Sequence, residues 1–255
     1  MPYLNLKDAT IYYESQGQGP EIVLIHGAGG NHGVWWQQIP VFSQWFHVTA
    51  FDMRGFGLSK EKAGSPGGAA FTNDLEALLE HLQIERVVLI GQSLGGWPCM
   101  AYTALHPDRV RGIVFAGSTA GINEPRLRAR MVEVVRGVEG LPMKDRALSS
   151  KFRESNPITA DLYRQFNSFN SSEAPIKRGR TVGPSPEELE GLTVPSIFIG
   201  GQEDLGLPPD ALTMAQECVP GSQIRLVPDA GHSVYFEQPE VFNTLVLDFL
   251  NSLTL

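Results

Sequence analysis

A chain of 255 residues, 42% hydrophobic and 19% charged, has the composition of a globular protein with a sizeable core and not of a disordered tail. Its formal net charge of −8 argues against non-specific binding to nucleic acid or an acidic membrane. Two cysteines, Cys99 and Cys218, are too few for a disulfide framework or a zinc site.

No apolar run approaches the ~18 residues that a membrane span needs. The opening Met1-Pro2-Tyr3-Leu4-Asn5-Leu6-Lys7 lacks the basic and apolar regions of an export signal, so a cytoplasmic protein is expected. Doubly wound α/β folds reach this length as one unit, and a single domain over residues 1–255 is expected.

In chain order, residues 3–6 and 10–15 read as two antiparallel strands, and Gly17-Gln18-Gly19-Pro20 breaks the chain. Residues 21–26 form a continuous apolar run of the kind buried on both faces of a sheet. Similar runs recur at 47–51, 86–90, 112–116, 194–200 and 223–227. Helical patterns occupy 71–82, 94–106, 209–218 and 239–253. The alternation predicts βαβ units, a mostly parallel twisted sheet and helices on both faces.

One stretch breaks this rhythm. Residues 121–190 carry no strand signal; 124–137 and 160–169 read as helices, followed by the looser 170–185. Residues 122–192 hold 12 Lys/Arg against 10 Asp/Glu, a balance of +2 where the rest of the chain stands at −10. The expectation is a helical cap at about 121–190 on a core of 1–120 and 191–255, placed at the carboxyl edge of the sheet where α/β enzymes bind ligands.

The chemistry centres on Gly91-Gln92-Ser93-Leu94-Gly95-Gly96. With 27 glycines and 17 serines in the chain, G-x-S-x-G arises by chance roughly 0.2 times, so the pattern alone is weak. Its position between the best strand and a strong helix pattern is what makes Ser93 a nucleophile on a strained strand-to-helix turn rather than an incidental serine.

Asp204 follows a strand in Gly200-Gly201-Gln202-Glu203-Asp204, placed to hold a histidine tautomer, with adjacent Glu203 the alternative. His232 lies between the last strand and last helix, the best placed of six histidines; His26, His32, His47, His81 and His106 are its rivals. The order Ser93, Asp204, His232 is that of the strand-elbow hydrolases.

An oxyanion hole requires two backbone N–H groups. Leu94 supplies one, and Ala28 in His26-Gly27-Ala28-Gly29-Gly30 is expected to supply the other, with Gly27 and Gly29 letting the backbone approach substrate. That loop matches neither nucleotide fingerprint, and no Cys/His/carboxylate cluster suggests a metal, so no cofactor is expected.

Together these segments resemble the α/β-hydrolase superfamily nearly end to end. Asp52-Met53-Arg54-Gly55-Phe56-Gly57-Leu58-Ser59 is similar to that family's D-x-R-G-x-G-x-S turn, which implies a structural role. Serine at the elbow disfavours the haloalkane dehalogenases and epoxide hydrolases, which use aspartate. The tail from His232 to Glu240 looks like enol-lactone hydrolases and small carboxylesterases, which implies a small-molecule ester or lactone cleaved through an acyl-enzyme. Carbon–carbon bond hydrolases of ring-fission dienoates and triad-bearing ligand receptors are the alternatives. HGAGGN and Ser233 after His232 depart from the former. Leu162, Tyr163, Phe166 and Phe169 form a stripe at near-helical spacing, either plain core or the roof of the site. Tyr163, Phe166 and Trp97 are the candidate substrate contacts.

Overall fold

The computed structural model describes residues 2–170 and 183–254. Its strands are β1 Tyr3–Asn5, β2 Ala9–Gln16, β3 Glu21–Ile25, β4 His47–Phe51, β5 Lys60–Glu61, β6 Val87–Gln92, β7 Val110–Ala116, β8 Ser196–Gly201 and β9 Gln223–Val227. The helices of the core are α1 Ile39–Phe42, α2 Phe71–His81 and α3 Gly96–Leu105. Between β7 and β8 lie α4 Pro125–Gly137, α5 Met143–Ala147, α6 Ser150–Ser155, α7 Pro157–Ser168 and α8 Pro186–Leu189. After β8 come α9 Pro209–Glu217, α10 Val234–Glu237 and α11 Pro239–Asn251.

The sheet runs β1-β2-β4-β3-β6-β7-β8-β9, with β5 pairing β2 off that path. From β4 through β9 every neighbouring pair is parallel, and β1, β2 and β5 supply the antiparallel edge. The expected mostly parallel sheet with helices on both faces is therefore the architecture observed.

Period-2 alternation sorts the strands onto two cores. Val23, Ile25, Leu89, Phe115 and Phe198 face one cluster, where they meet α2, α3 and α9 through Leu75, Met100 and Leu212. Ile22, Leu24, Ile90, Val114 and Ile199 face the other, where they meet α11 through Phe242, Val246 and Leu250. All six residues of β6 and of β8 are buried, which is why their central residues 87–90 and 197–199 are apolar without a break.

The connection from β7 to β8 divides between these cores. Leu127 on α4 joins the first cluster, whereas Ala160, Leu162, Tyr163 and Phe166 on α7 join the second. The expected helices at 124–137 and 160–169 correspond to α4 and α7, the latter starting three residues earlier at Pro157, whose fixed φ suits a first helical turn. The segments α1, α5, α6, α8 and α10 carry four to six residues each, too short for a periodic pattern to mark. Residues 171–182 of the expected loose stretch lie outside the described residues. No described helix is long and apolar enough to cross a membrane.

Candidate active site

Three loops at the carboxyl ends of β6, β8 and β9 converge. Ser93 follows β6 with φ +50°, a left-handed conformation that L residues rarely hold. The turn is tight enough that a Cβ on Gly91 would lie 2.6 Å from Gly95 O, and one on Gly95 would lie 2.2 Å from Ile25 O. Glycine at both positions is thus a steric requirement of this elbow. Ser118 Oγ donates to Ser93 O at 2.5 Å and ties the turn to the end of β7.

The Asp204 carboxylate is buried and fully used. Its Oδ1 accepts from the N–H groups of Gly206 and Leu207, both at 2.7 Å, and Oδ2 lies 2.7 Å from His232 Nδ1. Its neighbour Glu203 is exposed. Burial lowers the basicity of His232, but the Asp204 carboxylate outweighs it, with a smaller push from Glu237, so the imidazole pKa stands above its ordinary value.

The other five histidines are engaged in packing or ion pairs. His26 is buried with Nδ1 2.8 Å from Gly27 O while its Nε2 accepts from Met53 N. His32 meets Asp52, His47 meets Glu21, His81 meets Tyr13 and His106 meets Glu76. The Asp52–Ser59 turn is likewise consumed internally: Asp52 accepts from Leu58 N at 2.7 Å, and buried Arg54 pairs with Asp74 at 2.5 Å.

Ser93 and His232 line one chamber of about 280 Å³, together with Ala28, Leu94, Trp97, Met131, Val135 and Leu207. Ala28 and Leu94 therefore stand beside the serine. Gly27 packs against it, since a Cβ there would lie 2.9 Å from Ser93 Cβ. Gly29 turns away instead, with φ +84° and its carbonyl accepting from Asn170 Nδ2 at 2.7 Å.

The candidate roof needs correction. Tyr163 and Phe166 do not line this chamber. Tyr163 accepts from Ser233 Oγ at 3.0 Å and packs edge-on against Phe236 with ring centres 5.0 Å apart. Phe166 meets the same ring at 6.5 Å, and Phe169 is 70% exposed. The cap helix that contributes to the chamber wall is α4, through Met131 and Val135. An amphipathic stripe announces a buried face but not which of two cores receives it.

Sequence reasoning also missed Glu237. This buried carboxylate accepts from Gly231 N at 3.0 Å and from Ser149 N at 2.9 Å, clamping the loop before His232 to the turn between α5 and α6. Burial raises its pKa, against the hydrogen bonds from Ser149 and Gly231. A glutamate four residues into an ordinary helix start carries no local signal of this role. Among the described residues no three or more His, Cys, Asp or Glu side chains gather in a group able to hold a metal ion.

A family model described as the alpha/beta hydrolase fold matches residues 20–138. The chain is 28% identical over 248 residues to a 2-hydroxy-6-oxo-2,4-heptadienoate hydrolase of Pseudomonas putida, covering 92% of this chain and 90% of that protein. A solved N-acyl homoserine lactone degrading enzyme superposes with a TM-score of 0.82 at 27% identity, covering 97% of this chain and 100% of the other. The enol-lactonase from Burkholderia xenovorans LB400 gives a TM-score of 0.79 at 25% identity, covering 98% and 100%.

Proposed function

We propose, from the premise that this chain belongs to the α/β-hydrolase superfamily, that it is a serine hydrolase cleaving a carboxylic ester or lactone through an acyl-enzyme. The observation carrying this reading is the conjunction at one chamber: a serine at φ +50°, a histidine in the same wall, and a buried aspartate 2.7 Å from that histidine's Nδ1.

In this mechanism Ser93 Oγ attacks the carbonyl carbon as His232 Nε2 takes its proton. The tetrahedral oxyanion is met by the N–H groups of Ala28 and Leu94. Collapse breaks the carbon–oxygen bond, and the imidazolium returns its proton to the leaving alkoxide. In a lactone that hydroxyl stays tethered to the acyl group. Water, deprotonated by His232, then attacks the ester to Ser93 and restores the free serine. Asp204 stabilises the imidazolium and holds Nδ1 protonated throughout. No cofactor or metal takes part in these steps.

The Pseudomonas relative supports a second reading, hydrolysis of a carbon–carbon bond in a ring-fission dienoate. A panel of short esters, lactones and one such dienoate, assayed with wild type and Ser93→Ala, separates the two. Ester or lactone turnover that falls on the order of 10⁶-fold in the variant is the expected result. Turnover of the dienoate alone overturns the ester reading. A folded Ser93→Ala protein keeping a tenth of the activity overturns the nucleophile.

A further inference from the structure

A second cavity of about 830 Å³ adjoins the Ser93 chamber, and Trp97, Thr119, Met131 and Val135 line both. Among the described residues, the charged side chains in its wall are Arg128, Arg136 and Arg146 against Glu139 alone. In a chain of net charge −8 this is a local reversal of sign.

Arg146, on α5, differs from its neighbours. Arg130 is paired with Asp210 at 2.6 Å. Arg146 is half-buried, and its Nε is out of contact with water and has no hydrogen-bond partner. Among the described residues no carboxylate lies within ion-pair distance of the Arg146 guanidinium, so a half-buried positive charge stands unneutralised in the cavity wall, where a substrate anion would pair with it. The chain immediately beyond it reaches the catalytic loop: Ser149 N lies 2.7 Å from the place a Gly231 Cβ would occupy, and both N–H groups share Glu237. The positive charge of Arg146 is felt at His232, where it opposes the net rise in basicity.

We propose that Arg146 anchors a carboxylate carried by the substrate several bonds from its scissile carbonyl, so that the preferred substrate is an ester or lactone bearing a second, ionised carboxyl group. The planar guanidinium offers the paired donors that match a carboxylate. Arg128 and Arg136 add favourable potential along the cavity wall. The inference rests on the hydrolase reading above and names the substrate class of that site.

The test uses ester pairs of matched length in which a terminal carboxylate replaces a terminal methyl, on the acyl side in one series and the alcohol side in the other. Wild type should favour the carboxylate member of at least one series by roughly tenfold or more in kcat/KM, with the preference shrinking as salt is raised. Arg146→Met should bring that ratio to near parity, and Arg146→Lys should keep part of it. An unchanged ratio in Arg146→Met, or a wild-type preference for the methyl members of both series, overturns the anchor. Calorimetry separates this from failure of the hydrolase reading: monomethyl adipate and methyl hexanoate are titrated into Ser93→Ala and into Ser93→Ala with Arg146→Met. If no ester is turned over, tighter binding of monomethyl adipate that requires Arg146 still supports the anchor. Equal binding of the two compounds overturns it whatever the turnover.

Discussion

Replacing Asp204 with asparagine exchanges one oxygen for an NH₂ group, and the structure dictates where that group goes. Asp204 Oδ1 holds two backbone donors, Gly206 N and Leu207 N, each at 2.7 Å, while Oδ2 faces only His232 Nδ1, also at 2.7 Å. The single amide oxygen stays on the two donors, so the NH₂ points at Nδ1. That nitrogen must then accept, and the ring proton moves to Nε2, the atom that has to receive the Ser93 proton. The expected loss is about 10⁴-fold in kcat, as when a triad histidine is held in the wrong tautomer, or about 5.4 kcal/mol of barrier at 1.36 kcal/mol per tenfold. Stability should barely change, because both backbone donors keep an acceptor. Asp204→Ala makes the contrast: activity falls similarly, and two N–H groups, one part-buried and one buried, lose their partner, costing about 2–5 kcal/mol in unfolding free energy. The assay is kcat on the best ester alongside urea unfolding for both variants, with exposed Glu203→Gln as a nearly silent control. An Asp204→Asn protein that keeps a tenth of wild-type activity, or that is as destabilised as Asp204→Ala, refutes the reasoning. A large loss in Glu203→Gln would move the acid by one residue.

Since Asp204 outweighs burial and lifts the His232 pKa above 6.5, and the neutral imidazole is the base, kcat/KM should rise with pH along a limb centred above that value. Asp204→Asn should lower the midpoint. The same shift sets a stability trend: the charged His232–Asp204 pair contributes fully below the ordinary histidine pKa and is lost as pH rises through the raised one. Thermal midpoints should show that decline in wild type and lose it in Asp204→Asn; an acid limb centred below 6.5 contradicts the assignment. On the chamber wall, Met131→Ala should lower kcat/KM for long apolar acyl groups by about tenfold while sparing acetyl esters, a half-buried side chain falling near the low end of the about 1.5–3 kcal/mol for full burial. Phe166→Ala, by contrast, removes a ring packed on Phe236 and should cost about 2–3 kcal/mol of stability with no dependence on chain length. The opposite pattern would return the roof to α7.

The legible parts of this protein are those governed by short-range sterics. The strand and helix alternation is visible because a strand buried on both faces is apolar over most of its length, as β6 is at residues 87–90 and β8 at residues 197–199. The elbow is visible because only glycine fits at Gly91 and Gly95, where any Cβ would strike backbone. Ser93, Asp204 and His232 stand out as candidates because each sits where a strand ends, a position that local patterning marks.

Other features depend on atoms brought together from distant segments. The choice of Asp204 over Glu203 rests on two N–H groups of the next turn and on an imidazole 28 residues away. The clamp from Glu237 reaches Ser149 across 88 residues. Placement of the chamber wall on α4 and not α7 follows from which of two cores each helix joins, a question its own amphipathic stripe leaves open. The isolation of Arg146 is equally invisible along the chain, where it is one arginine among many. Only packing shows that Arg130 has a carboxylate within reach while, among the described residues, Arg146 has none, because a partner's presence is a property of space and not of sequence.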